Sequence, residues 1–407
     1  MIRKRVLAGL LAMVLVFCLT GCMEIRLEDK ISKNGTYTEL MVVYLDKEAV
    51  VKYLKNSLGE EYVEYFDDLM EEQGLSLRTV DGKEYFVSKP QTERTNIVKS
   101  SKMNKIFRIG RRVVNLLYYV ISTHKRKSLK IIDIQQTAKD IIQNRKSISR
   151  YGDGEFDIIF NYLGYSKAMC GFQVYSPKLA QRLIDILKSE PVEGLLIGLP
   201  GSIGSGGVMK FRWEDLRYWQ NYLRLHLKHL YKIIPSDRVY GDANFTRFYL
   251  PMRDKSRVPE YVEELKKIWA DRDLLIVEGV MTRLGVSNDL LYGARSIKRI
   301  LAPAKDAFSK YDEILGTALS HLKELGPDTL VLASLGATAT VLTYDLAKAG
   351  YQAIDTGHVD LEYEWMRLGV KEKVKVEGKF VNEVAGEDHE AQFDDSEYKK
   401  SIIARIE

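Results

Sequence analysis

The chain is poor in cysteine, nearly balanced in charge, and without an apolar run long enough to cross a bilayer as a helix. Its 407 residues hold three cysteines, Cys18, Cys22 and Cys170, too few for a disulfide framework. The net charge of +5 calls for no polyanionic partner, and nucleic acid is not an expected ligand. The apolar stretch Val6–Leu19 falls short of the ~20 residues that span a hydrocarbon core. Glycine-rich nucleotide loops are missing too. Gly201, Gly204, Gly206 and Gly207 cluster, but at the spacing of neither a dinucleotide fingerprint nor a Walker loop, and a plain flexible loop explains them. No internal repeat is present.

What is present begins with an export pattern. Arg3, Lys4 and Arg5 precede the apolar stretch, and Leu19-Thr20-Gly21-Cys22 resembles a bacterial lipobox. Cys18 then leaves with the signal, Cys22 carries lipid, and Cys170 remains as a buried thiol. The expected localisation of the whole chain is a membrane-anchored lipoprotein. From Lys102 to Arg150, basic residues far outnumber Asp133 and Asp140. Arg108, Arg111 and Arg112 run into an apolar segment that ends at Lys125-Arg126-Lys127, a pattern suited to an anionic membrane surface. A first helix with a solvated basic face fits it equally well.

Periodicity divides the rest. Residues 1–22 form the signal and 23–90 a small α+β module. In that module two strands flank Lys33-Asn34-Gly35-Thr36, a hairpin turn. A helix over Lys47–Glu72 carries Val50, Val51, Leu54, Leu58, Tyr62, Phe66 and Leu69, and two further strands flank Asp81-Gly82. Residues 91–125 read as a basic linker and first helix, and 126–407 as the main domain. There, strands are expected at Gly194–Leu199, Asp273–Glu278, Ile297–Leu301, Thr329–Ser334 and Gln352–Ile354. Helices are expected at Ile132–Asn144, Pro177–Ser189, Leu216–Tyr231, Pro259–Ala270, Tyr311–Leu325 and Thr338–Gly350. The expected fold is α/β, a Rossmann-like, mainly parallel sheet with helices on both faces. Its ligands bind beyond the carboxyl ends of strands.

Three dense segments fall at such ends. Arg150-Tyr151-Gly152-Asp153-Gly154-Glu155-Phe156 sets two carboxylates one residue apart, each after a glycine, so that both can face one ligand. Oxygen ligands so placed suit a hard divalent cation, although a solvated acidic turn has the same spacing. The second segment runs from Glu278 to Leu290 and includes Arg283, Ser287, Asn288 and Asp289. The third is Asp355-Thr356-Gly357-His358-Val359-Asp360-Leu361-Glu362-Tyr363-Glu364-Trp365. Read as a strand, its period of two sets Asp360, Glu362 and Glu364 on one face.

In this order the three blocks resemble the bacterial glycosyltransferases of the D-type fold, from about Met103 to the C-terminus. Two departures stand out. Ser287 replaces the usual glycine. Ala302-Pro303-Ala304-Lys305-Asp306-Ala307-Phe308 replaces a Cys-Pro-Ser segment with an asparagine before Ala-Phe. The resemblance implies transfer of a hexose such as glucose from a UDP-sugar to a glycan or glycoprotein acceptor. It implies Mn²⁺ or Mg²⁺ held by Asp153 and Glu155, with Arg150, Gly152, Arg247, Arg283, Asn288 and Asp289 binding the donor. His358, Asp360 and Glu362 are then the candidate catalytic residues, one acid deprotonating the acceptor hydroxyl. His358 is also a candidate metal ligand or phosphate contact, against a structural histidine in a packed turn. Two other readings remain: another nucleotide-dependent α/β transferase, and a lipoprotein that binds without catalysis. Nucleotide-sugars are cytosolic, so the catalytic domain by itself reads as cytoplasmic, in conflict with the export signal.

Overall fold

A computed structural model describes residues 23–31, 37–49, 51–52, 75–80, 82–88, 91–92, 115, 118–119, 122–166, 173–204, 211–381, 384 and 395–407. The signal segment, Cys22, Cys170, the Lys33–Thr36 turn, Arg108, Arg111, Arg112, Gly206, Gly207 and most of the expected helix over 47–72 lie outside these residues. Among the described residues, no helix is long and apolar enough to cross a membrane. The chain separates into two compact units. One takes described residues up to 127 together with Arg212–Leu225. The other takes Ser128–Phe211 and His226–Glu407.

The first unit contains an antiparallel sheet of β1 (Met23–Ile31), β2 (Tyr37–Asp46), β3 (Leu75–Val80), β4 (Lys83–Ser88) and β5 (Gln91–Thr92), ordered β1-β2-β4-β3 with β5 on β2. Pairing of Ile31 with Tyr37 brackets the Asn34-Gly35 segment. Between β3 and β4, Gly82 takes φ +77°, which a two-residue hairpin needs and glycine supplies without strain. Asp46 accepts a hydrogen bond from Ala49 N at 2.9 Å and so starts the helical residues that follow β2.

The second unit is built on nine parallel strands. They are β6 (Lys130–Ile131), β7 (Ser147–Arg150), β8 (Leu195–Leu199), β9 (Val239–Asp242), β10 (Asp273–Gly279), β11 (Ser296–Ala302), β12 (Leu330–Ser334), β13 (Ala353–Asp355) and β14 (Ile402–Arg405). Their order is β14-β11-β10-β12-β13-β7-β8-β9-β6. Leu274–Val277 and Leu330–Ala333 are continuous apolar runs, as strands covered on both faces require. The five expected strands and six expected helices all appear, with ends shifted by a few residues. β7 escaped notice because Ser147 and Ser149 break its apolar character. Ser149 Oγ instead meets Thr343 Oγ1 at 3.0 Å, and Ser147 Oγ accepts from Ala353 N.

The helices are α1 (Ile134–Gln143), α2 (Asp153–Tyr162), α3 (Pro177–Lys188), α4 (Trp213–Ile233), α5 (Val258–Lys266), α6 (Tyr311–Leu325), α7 (Ala337–Lys348), α8 (Val359–Arg367) and α9 (Ser396–Ser401). Asp133 caps α1, and Ser176 caps α3 ahead of Pro177. Neighbouring residues of β7 point to opposite faces. Ile148 joins the core with Ile141 of α1, Leu265 of α5 and Trp365 of α8. Ser149 meets Thr343 of α7 on the other face, where α7 packs on α3 and α3 on α2. β7 lies beside β13, with Ile148 opposite Ile354. From these neighbours the chain leaves into α2 on one face and α8 on the other. A crevice opens where such exits diverge, and open α/β sheets bind ligands there.

Candidate active site

The first dense segment is a strand end running into a helix start. β7 ends at Arg150, Tyr151 is buried with its hydroxyl donating to Leu183 O, and α2 begins at Asp153. It is therefore not the acidic turn between helix and strand that its spacing also allowed. Glu155 turns back, and its Oε2 accepts from Gly152 N at 2.6 Å. A Cβ on Gly152 would lie 3.1 Å from that oxygen, so glycine leaves room for the cap. Both carboxylates sit at the positive end of α2. Even so, burial raises the Glu155 pKa to about 7, with Asp355 and Asp153 adding like-charge repulsion against the hydrogen bond from Gly152.

Arg150 is the hub of the crevice. Its Nε donates to Ala243 O at 2.7 Å, and its Nη1 reaches Asp355 Oδ1 at 3.4 Å. Thr340 Oγ1 donates to the Arg150 carbonyl. Gly357 lies against the guanidinium so closely that any Cβ would collide with it, and it takes φ +49°. Asp355, the last residue of β13, also accepts from Gly357 N. Asp242, the last residue of β9, accepts from Gly201 N at 3.1 Å and Asn244 N at 2.8 Å. Burial raises both pKa values to about 6, against the pull of Arg150. Asp355 opens the third dense segment but has no role in the sequence reading, and Asp242 is not singled out there; its signal is position alone, at the carboxyl end of a strand.

Arg247 and His358 meet in the same region, Nη2 to Nδ1 at 2.6 Å. Arginine has only donors, so Nδ1 accepts and the proton of the neutral ring sits on Nε2. His358 thus carries its N–H on Nε2 at the start of α8.

The acids after His358 behave differently from expectation. The segment is the helix α8, not a strand, so Asp360, Glu362 and Glu364 do not share a face by alternation. Asp360 accepts from Gly285 N at 3.0 Å, Asn288 Nδ2 at 2.8 Å and Lys379 Nζ at 2.5 Å. Glu362 Oε2 accepts from Tyr249 N and Leu250 N, which fixes the loop after Arg247. Asn288 also donates to Glu364 Oε1 at 2.6 Å. Asp289 accepts from Tyr363 OH and pairs with Lys266, two hydrogen bonds that lower its pKa. Arg283 Nη1 donates to Gly378 O. Glu278 is wholly buried and pairs with Arg299 at 2.6 Å. The structure therefore brings Arg150, Gly152, Asp153, Glu155, Arg247 and His358 to the crevice. Asp360, Glu362, Arg283, Asn288 and Asp289 are engaged as supports of the loops and of α8. Buried polar groups call for such partners, and each of these residues has at least one.

Among the described residues, no group of three or more histidine, cysteine, aspartate and glutamate side chains is placed to hold a metal ion. A cation would draw on Asp153 and Glu155, two hard oxygen donors, and would complete its shell with water and phosphate, as Mg²⁺ commonly does. A carboxylate whose ionisation is resisted by like charges gains from a cation beside it, and the donor set fits on that ground.

Comparison with known proteins agrees with this geometry. The model of the "Glycosyltransferase GT-D fold" family matches residues 148–384. The "Probable glycosyl transferase Gly" of Streptococcus gordonii is 34% identical over 282 residues, 69% of this chain and 39% of that protein. "Glycosyltransferase GlyD" of Streptococcus pneumoniae serotype 4 (strain ATCC BAA-334 / TIGR4) is 37% identical over 281 residues, 68% of this chain and 33% of that protein. The chain thus spans only part of the length of these relatives. Two solved structures cover their whole chains. One is described as the highly conserved domain of unknown function 1792 with a distinct glycosyltransferase fold. It is 37% identical, with TM-score 0.63 over 71% of this chain. The other, a new glycosyltransferase from Streptococcus sanguinis, is 35% identical, with TM-score 0.61 over 69% of this chain. On the family match and the shared sheet, this chain belongs to the GT-D-fold glycosyltransferases.

Proposed function

We propose that the crevice between β7 and β13 transfers a hexosyl group from a UDP-sugar to a hydroxyl of a glycan or glycoprotein, with Mn²⁺ or Mg²⁺ held by Asp153 and Glu155. The observation that carries the reading is the juxtaposition at one strand pair of the acid motif, Arg150 and the Arg247–His358 pair. The family match supports it. When bound, the cation neutralises charge on the departing diphosphate.

The rest of the work falls to the chain. The start of α2 directs backbone N–H groups and a positive dipole end toward the crevice. Arg247 and the Nε2–H of His358 supply donors for phosphate oxygens, and Arg150 supplies a fixed positive charge. Glu362 holds Arg247 in place through the two backbone N–H groups just after it. The proton leaving the acceptor hydroxyl goes to a crevice carboxylate, since Asp360 already accepts from Gly285 N, Asn288 and Lys379, and Glu362 Oε2 holds two backbone N–H groups.

The purified chain, given a panel of UDP-hexoses with and without Mn²⁺, tests this directly. Asp153→Asn and Glu155→Gln are each expected to abolish metal-dependent turnover while the circular dichroism spectrum stays unchanged. Wild-type turnover in either variant, or full activity in EDTA, overturns the proposal.

A further inference from the structure

The crevice lies at the carboxyl ends of the strands, and a second concavity lies at their amino ends. β8 begins at Leu195 and β9 at Val239, and a cavity of about 310 Å³ opens beside both starts. Small-molecule sites occupy about 300–1,000 Å³. The walls are largely apolar. Leu195 and Ile197 stand two residues apart, on one face of β8, and Val192 and Val239 join them. Every lining residue belongs to the second unit.

Two polar side chains in this lining have unmet donors. Tyr344 of α7 is 6% exposed, and its hydroxyl makes no hydrogen bond among the described residues. Other buried tyrosines find a carbonyl: Tyr151 donates to Leu183 O and Tyr240 to Pro235 O. Arg238, just before β9, also makes no hydrogen bond among the described residues. Its ion-pair partner Asp237 stands 3.9 Å away with 83% of its side chain exposed, whereas the arginine side chain is 14% exposed. Arg150, Arg182 and Arg299 by contrast all donate at hydrogen-bond distance. A guanidinium brings five N–H donors, and one so enclosed calls for an acceptor.

Apolar walls beside a cation and a hydroxyl donor fit an anionic group on an apolar body. A carboxylate can take two parallel bonds from the arginine fork, and a third donor is at hand in Tyr344. Lys348, 5.6 Å from the Tyr344 ring, adds positive charge. Glu190 and the exposed Asp237 also line the cavity, and these acids oppose any second negative charge on a ligand. One carboxylate is therefore favoured over a phosphate dianion or a nucleotide.

We propose that this cavity binds an organic monocarboxylate with an apolar body, its carboxylate held by Arg238 and Tyr344. The proposal is independent of the transferase reading. A ligand there rests on α7, the helix whose Thr343 meets Ser149 of β7 and whose Thr340 donates to the Arg150 carbonyl.

The probe is 4-phenylbutyrate, a benzene ring on a short chain ending in one carboxylate. Titrated into the full chain and followed by ligand-observed NMR, it should saturate one site with a dissociation constant of about 1 mM or tighter. The neutral 4-phenylbutanol and inorganic phosphate should each bind at least about tenfold more weakly. Arg238→Met should weaken the probe about tenfold and Tyr344→Phe about threefold. Both variants should melt as wild type does, since neither side chain makes a hydrogen bond in the free protein. Val192→Trp fills the cavity from its loop and should abolish binding, which keeps the test decisive if the arginine variant folds poorly. Saturating UDP should leave the probe in place. Absence of saturable binding, equal affinity for the alcohol or for phosphate, or an unchanged constant in Arg238→Met overturns the site. Displacement by UDP would assign the probe to the crevice and overturns it as well.

Discussion

Two sets of carboxylates lie at the carboxyl edge of the same sheet, and they are built for different purposes. Around β10 and α8, Glu278 faces Arg299, and Asp360 and Glu364 face Lys379. These acids also take hydrogen bonds from Leu284 N, Gly285 N and Asn288 Nδ2. Between β7 and β13, Glu155 instead has a backbone N–H on one side and the like charges of Asp355 and Asp153 near it. One set is paired within the fold; in the other a single cation, Arg150, reaches Asp355, and Glu155 sits among like charges. Density of acids in the sequence does not separate the two, because the segment after His358 is the more acidic and lies in the paired set. What a carboxylate faces is what distinguishes a support from a site.

The sharpest way to break this comparison is to remove a partner from the paired set. Arg299→Met leaves Glu278 buried without its cation and should cost about 3–5 kcal/mol in denaturant unfolding. Turnover per folded molecule should stay close to wild type, since Glu278 lies two strands from β13. A variant of full stability and no activity would move Glu278 and its loop into the catalytic machinery.

The alternation of strands and helices, the strand ends and the three motif blocks could all be read along the chain. The adjacency of β7 and β13 could not, because it joins residues some two hundred positions apart, and nothing local to Ile148 names Ile354 as its neighbour. The α8 segment misled for a physical reason. Asp360, Glu362 and Glu364 alternate with apolar residues, which suggests a strand. Their partners Gly285, Asn288, Tyr249 and Lys379 come from loops that pack on a helix, with Asn288 and Lys379 shared by Asp360 and Glu364 on one face. Tertiary pairing thus decided the element, and the polar pattern recorded the pairing. Asp242 went unread because it is one acid at a strand end, with no second acid to draw attention. Asp355 opens the third segment, but its pairing with Arg150 of β7 is not local.

A smaller effect tests the like charges of the crevice. The Glu155 pKa rises from 4.5 to about 7 on folding, so the folded state holds the proton more tightly than the unfolded chain. This stabilisation is complete below pH 4.5, falls as pH rises, and is gone above 7. Asp242 and Asp355, raised from 3.8 to about 6, act with the same sign over a lower window. Metal-free protein should therefore lose stability between about pH 5 and 8, with up to about 3 kcal/mol from Glu155 alone. Glu155→Gln should flatten the upper part of that decline and melt higher than wild type at pH 8, even as it loses turnover under the proposed function. Added Mn²⁺ should raise the melting temperature of wild type at pH 8 and leave the variant unmoved. A wild-type profile with no slope in this window would place Glu155 among the paired acids.

The smallest effect belongs to the loop between the two sets. Met281, Arg283, Gly285 and Ser287 take φ of +72°, +50°, +72° and +63°, so every second residue is left-handed. That alternation turns the N–H groups of Leu284 and Gly285 inward, where Glu278 and Asp360 accept them. Glycine is at ease in this conformation and L-residues are not, and the resembling family usually has glycine where Ser287 stands. The Ser287 side chain is exposed, so its removal forfeits little packing. Ser287→Gly should then stabilise the protein by about 0.5–1 kcal/mol, the relief of strain exceeding the added freedom of the unfolded chain. For a domain of this size that corresponds to a rise of about 1–4 °C in melting temperature. Ser287→Ala keeps the strain and should change nothing. A glycine variant that melts lower, with an alanine variant that melts lower too, would show that the serine hydroxyl holds the loop and that its departure from the family is a compensation made by this chain.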